Sequence, residues 1–238
     1  MKPQRETLDI FYDNYVLHGK LSAVHPDNND GRRYTIEYRA IREREYRTGI
    51  NDVGLELYPG CNLLDFGAQD LVFLVVCREL QPGLGETVAM DYGIEAHEYN
   101  KHILRHINYF YSSAACYDIV TLWDVYEHIP DLDSFLSTLS KRVRSGGSVL
   151  VQTPRSDIYG DVLGAQWHHF LPVQHLQLPS RQGITLQFKQ YGFDLIKNAS
   201  FGANAPPSLI PHPYKALFDK LVKNGDLGST QILLFQLS

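Results

Sequence analysis

Cys61–Asp91, CNLLDFGAQDLVFLVVCRELQPGLGETVAMD, holds in order a strand, a turn, a helix and a second strand. Asn62 to Phe66 is a short apolar run that contains Asp65 and is closed by Gly67. Leu71 to Leu80 follows at helical length with apolar residues on nearly every face, as expected of a buried helix. After the breaker Gln81–Gly85, the run Thr87 to Met90 ends in an acid, Asp91. A buried strand feeding a buried helix and a second strand is the minimal parallel unit. Glycine at the first turn lets a ligand approach the backbone, and an acid after the second strand accepts hydrogen bonds from two ribose hydroxyls. The stretch therefore reads as a nucleotide-type cofactor site. Its turn is poor in glycine, since Gly67 is followed by Ala68, Gln69, Asp70 and Leu71.

Working outward, the alternation continues. Ala96 to His106 suits a helix and Asn108 to Tyr111 a short third strand. Tyr117 to Asp124, YDIVTLWD, is a β-branched, buried strand that runs into Val125-Tyr126-Glu127-His128-Ile129-Pro130. Phe135, Leu136, Leu139 and Val143 fall at helical spacing from about Leu132, and Ser145-Gly146-Gly147 stops that helix. Ser148 to Thr153 is another apolar strand closed by Pro154. This order predicts an α/β, doubly wound, mostly parallel sheet that binds ligands at the carboxyl ends of its strands.

Residues 156–180 break the alternation with an aromatic and histidine-rich insertion, and long insertions of this kind are usually functional. Arg181 to Tyr191 then reads as a helix, Phe193 to Asn198 as a strand, Tyr214 to Lys223 as a helix and Thr230 to Leu237 as the last strand. Between them lies the proline-rich 204–213 stretch. Upstream, His25 to Gly31 is a loop by composition, and Arg32 to Leu57 is helix-like. Arg32, Arg33, Arg39, Arg42, Arg44 and Arg47 there are interspersed with Glu37, Glu43 and Glu45. The plain reading is a solvated face with weak ion pairs; the sharper one is a lid over an anionic substrate. The expected division is thus a helical extension over 1–58 and a main domain over 59–238.

With 238 residues, 44% hydrophobic and 21% charged, one core-forming domain with elaborations is the economical reading. A net charge of −5 gives no bulk electrostatic reason to bind nucleic acid or an anionic membrane. Three separated cysteines read as reduced core residues, which is a cytosolic pattern. No run approaches the roughly 18 apolar residues of a membrane span, so a cytoplasmic protein is expected.

LLDFG (63–67), VAMD (88–91), YDIVTLWDVYEHIPD (117–131), SGGSVLVQTP (145–154) and WHHFLPVQHLQLPS (167–180) before YGF (191–193) together resemble the class I S-adenosylmethionine-dependent methyltransferases that act on small molecules. The resemblance implies a Rossmann-like seven-stranded sheet with Thr230 to Leu237 as its antiparallel strand, and S-adenosylmethionine as cofactor. It assigns Asp65 and Gly67 to the first turn, Asp91 to the ribose, and Trp123 and Asp124 to the cofactor wall. Ser112 stands near the adenine position, where the family often has an acid. Gln69 would either donate to the cofactor carboxylate or fill its space. The implied partner is a small-molecule acceptor, and a homodimer or a heteromeric assembly is left open.

Methyl transfer from a sulfonium is an in-line displacement, so the protein supplies position and, for a hydroxyl acceptor, a base. His128, beside the expected methyl group, and His169 and His175, in the insertion, are the candidates; each taken singly reads first as a pocket-lining histidine. His168 and His169 with His175, and Glu127 as an added ligand, invite a metal reading, but no metal is expected, because adjacent histidines point apart on a strand and Cys-x-x-Cys is absent. A nicotinamide oxidoreductase needs the glycine fingerprint more strictly, and no Gly-x-Ser-x-Gly elbow accompanies Ser148 or Ser156. The opposing reading is a protein that keeps this fold, has lost the cofactor and serves as a binding or scaffolding subunit.

Overall fold

The computed structural model describes residues 36–68, 71–92, 97–99, 102–202 and 214–238. The expectations for residues 1–35 and 204–213, and for Gln69 and Asp70, lie outside them. The chain enters through helix α1 (Ile36–Val53), then forms strand β1 (Leu63–Phe66), helix α2 (Val72–Leu80) and strand β2 (Thr87–Asp91).

The next segment departs from expectation. Where a helix is expected over 96–106, the described residues form strands β3 (His97–Tyr99) and β4 (His102–His106), and Asn108–Ser112 is not a strand but helix α3. β4 pairs in parallel with β2, Val88 beside Ile103 and Met90 beside Arg105. Ile103 and Leu104 then pack on opposite faces of the sheet, a period-2 demand that overrides the weak helical spacing. In α3 only Phe110 of the aromatic run is buried, while Tyr109 and Tyr111 are exposed, the one-sided pattern of a short surface helix.

Strand β5 (Tyr117–Trp123), a 3₁₀ turn at Tyr126–His128, helix α4 (Leu132–Arg142) and strand β6 (Val143–Pro154) follow. Asp131 caps α4 by accepting from the Ser134 amide at 3.1 Å, and Lys141 and Arg142 sit in its last turn. The insertion is not a bare loop, because it begins with helix α5 (Ser156–Leu163) and a 3₁₀ turn at Gly164–Gln166. Helix α6 (Arg181–Gln190), capped by Ser180, strand β7 (Phe193–Phe201), helix α7 (Tyr214–Asn224) and strand β8 (Thr230–Leu237) complete the described chain.

The strands form one eight-stranded sheet in the order β3-β4-β2-β1-β5-β6-β8-β7. β4, β2, β1, β5 and β6 are mutually parallel, and β8 lies antiparallel between β6 and β7. These and β7 make up the seven-stranded sheet anticipated, with β4 in the place expected of residues 108–111; short β3 adds an antiparallel edge. Alternate residues feed two cores. Leu64, Phe66, Val120, Leu122, Val149 and Phe235 face α3, α4 and α6. Leu63, Ala89, Ile119, Leu150 and Ile232 face α1 and α2. Both faces are therefore covered, which is why the central strands read as continuous apolar runs.

Candidate functional site

From β1 the chain builds outward through β2 to β4, then crosses back to β5. The sheet order therefore reverses between β1 and β5, the place where open α/β sheets bind ligands. Two tight turns meet there. Gly67 has φ +82°, and a Cβ on it would lie 2.4 Å from Cγ2 of Val125, just after β5. Only glycine fits so close an approach. The Gly67 and Ala68 amides both donate to the Met90 carbonyl, at 2.7 and 3.2 Å, tying the turn to the end of β2. Asp91 follows, and its Oδ1 accepts from the Tyr92 amide at 2.6 Å. Leu71, at the end of the glycine-poor turn, enters α2 at φ 60°, a left-handed conformation rare for a bulky side chain.

The β5 side carries more of the charge. Asp124 has φ 54°, and both its carboxylate oxygens accept from Gln152 Nε2 on β6 at 3.0 Å. It is exposed by area, yet protein surrounds it closely enough that burial is the largest influence on it and raises its pKa, opposed by the Gln152 hydrogen bond and by Arg42 and His175. Arg42 of α1 comes within electrostatic reach of it, so the arginine-rich helix does approach this mouth.

Trp123 packs edge-on with Tyr46 and tilted against Phe73, inside the core beneath α1. Asp65 is buried within the sheet and accepts from the Thr121 hydroxyl at 2.7 Å. Ser112 is exposed on α3, with its hydroxyl on the Asn108 carbonyl.

Beyond Val125 the 3₁₀ turn joins the insertion. The Leu176 and Gln177 amides donate to the Glu127 carbonyl at 2.7 and 3.1 Å, and His128 Nδ1 donates to the Gln174 carbonyl at 2.8 Å. These bonds bring His175 against His128, with ring centroids 5.0 Å apart, and His175 Nδ1 in turn donates to the His169 carbonyl at 2.7 Å. A carbonyl only accepts, so both rings carry their proton on Nδ1 and the lone pair on Nε2. The His168 and His169 rings are tilted against each other with centroids 3.9 Å apart, and His169 lies 6.1 Å from His175. The three candidate bases thus form one cluster, drawn from segments about 40 residues apart in the chain.

Glu127 is 1% exposed, with the Thr153 hydroxyl donating to its carboxylate at 2.9 Å. Burial first, and then the charge of Asp124, hold its pKa well above the usual carboxylate range. Burial pushes His128 down to about 4 and His169 to about 3, with neighbouring histidines adding to the effect. His175 is lowered by burial too, but the His169 carbonyl and Asp124 draw it back up. Glu127 entered the sequence reading only as an added ligand in the metal set, not as a catalytic or cofactor-binding residue. Its signal was an acid between Tyr126 and His128 in a stretch too apolar to leave it solvated.

No curated protein sequence matches the chain. Solved structures give the same architecture at low identity. A Haloferax volcanii complex of the Trm112 methyltransferase activator and a methyltransferase matches with a TM-score of 0.61 at 12% identity, covering 94% of this chain and 96% of that one. Magnesium protoporphyrin IX methyltransferase from Synechocystis PCC 6803, solved with bound SAH, matches at 0.57 and 13%, covering 96% and 99%. A SAM-dependent methyltransferase from Archaeoglobus fulgidus matches at 0.55 and 15%, covering 83% and 94%. The family model described as "Methyltransferase domain" matches residues 38–198, from within α1 to within β7 and across both turns of the switch point. The chain belongs to the methyltransferase domain family.

Proposed function

We propose that the protein transfers the methyl group of S-adenosylmethionine to an oxygen of a small-molecule acceptor. The observation that carries this reading is the cluster of Glu127, His128, His169 and His175 at the carboxyl ends of β5 and β6, next to the switch-point crevice. The cofactor supplies a methyl group already activated as a sulfonium. Gly67 would let it approach the backbone, Asp91 would accept from its ribose hydroxyls, and Asp124 offers a carboxylate just after β5. Gln69, Ser112 and Trp123 remain candidates from the family resemblance alone.

The chain's own task is to hold the acceptor oxygen in line, exclude water and accept a proton. The insertion, clamped to Glu127 by its own amides, supplies one wall. Among the histidines, His175 is the one that Asp124 draws toward neutral pKa, which suits a base.

A second reading, a binding or scaffolding protein without the cofactor, draws on Leu71 and on the two turn amides already committed to Met90. Calorimetric titration with S-adenosylmethionine separates the two. Binding is expected below about 1 mM, and its absence at that concentration defeats the enzymatic reading. Asp91→Ala is expected to weaken binding by about 1.5–3 kcal/mol through loss of a charged acceptor; unchanged affinity would refute the ribose assignment.

A further inference from the structure

We infer that Glu127, His128 and His175 bind a first-row divalent cation, with Zn²⁺ as the best-matched ion. One ligand atom from each residue lies within 4.8 Å of the other two. The sequence weighed His168 and His169 with His175 and Glu127 and expected no metal; the cluster that the fold assembles has His128 in place of that adjacent pair. It takes one histidine from the turn after β5 and one from the insertion, so their rings converge.

The chemistry of the donors fits. Two imidazoles and one carboxylate form a three-ligand set that leaves room for an exogenous ligand, the pattern of catalytic rather than structural sites. Each histidine donates its Nδ1 proton to a backbone carbonyl, Gln174 for His128 and His169 for His175. That arrangement fixes the ring and directs the Nε2 lone pair elsewhere, as the outer shell of a metal-bound histidine does. Glu127 is likewise oriented by the Thr153 hydroxyl, and a nearly fully buried carboxylate held by a neutral hydroxyl gains from a cation at its side. Bonds of about 2.0–2.2 Å set tetrahedral ligands about 3.4 Å apart, so closure by roughly an ångström completes the shell. Asp124, within electrostatic reach of His175 and Glu127, stands beside the opening as a further acceptor.

The role of the ion rests on the O-methylation reading. The lone pairs of His128 and His175 are then committed to the cation, and acidification of the acceptor replaces direct proton abstraction by His175. An acceptor hydroxyl bound to the ion loses its proton to water: the O–H bond breaks, both electrons stay on oxygen, and the cation offsets the charge.

The test is titration of the chelator-treated full chain with Zn²⁺ by calorimetry, and with Co²⁺ by its visible absorption. One equivalent should bind at about micromolar Kd or tighter. Glu127→Gln, which keeps the volume, and His175→Asn, in the partly exposed insertion, should each weaken binding by roughly 100-fold and change the cobalt spectrum; Thr153→Val should cost about 10-fold. Circular dichroism establishes that each variant is folded. Absence of binding at about 1 mM, or equal affinity in wild type, Glu127→Gln and His175→Asn, overturns the site. Cation binding by a chain that does not bind S-adenosylmethionine supports the site and defeats the methyl-transfer reading alone.

Discussion

Gly67 shows how one residue couples the two sides of the crevice. Its left-handed φ of +82° disfavours any side chain by about 1–2 kcal/mol, and Val125 occupies the space where a Cβ would stand. Val125 is β-branched and has few rotamers with which to yield. Gly67→Ala is therefore expected to destabilise the fold by about 2–3 kcal/mol, read as a lower urea midpoint; an unchanged midpoint would mean that the turn relaxes freely. The glycine was legible in the sequence because it closed an apolar run. Its counterpart Val125 was not, because the contact joins residues far apart in the chain. Leu71 is the converse case: the sequence shows a leucine where glycine relieves strain, and only the structure shows that it accepts φ 60° while packing on the core beneath α1.

At the scale of elements, the insertion is the part on which the proposed function depends and which sequence patterning described least. Its two ends share an anchor. Arg155 donates from Nε and Nη2 to Asp157 and from Nη1 to the Asp226 carbonyl, while Arg181 grips the Asp226 carboxylate with both terminal nitrogens. Burial pushes Asp226 up, but Arg181, Ser200 and Arg155 together outweigh it and hold the carboxyl below its ordinary range. Asp226→Asn is expected to cost only about 1 kcal/mol of stability, since its side chain is half exposed, while loosening the wall that carries His175. Limited proteolysis should cut residues 164–176 faster in the variant; an unaltered rate would mean that the hydrogen bonds to Glu127 suffice. Strands β1, β2, β5, β6 and β8 and helices α2, α4, α6 and α7 were readable because each carries a strong period or a cap. Residues 96–112 were not, since β4 takes its strand character from pairing with β2, a contact that no local pattern encodes.

Across the whole molecule, the clustered histidines make stability depend on pH. An unfolded histidine takes up its proton near pH 6.5, whereas folded His169 does so only at about 3. Between those values the unfolded chain binds more protons, so stability falls as pH falls. His128, held to about 4, acts in the same direction; Glu127, raised by burial, protonates first in the folded state and opposes them. In chelator, the loss of unfolding free energy from pH 7.5 to 5.5 should shrink by about 1 kcal/mol in His169→Asn. An equal loss in the variant would show that His169 titrates normally. The family and sheet were legible because distant segments had to agree on one topology; the histidines of the cluster were named from the sequence, but their contact was not legible, because it depends on how the insertion docks.

The position of β8 bears on how such a chain comes off the ribosome. β8 lies between β6 and β7 although it follows both in the chain, so the two have no direct neighbour in common until residues 230–237 have been synthesised. Until then the nascent protein carries a half-sheet ending at β6 and a separate β7, both with unpaired backbone, the condition that invites association between growing chains. Closure of the sheet is thus a late event, dependent on sequence-distant pairing and slow by its nature. A chain shortened before Thr230 would leave that gap permanently open.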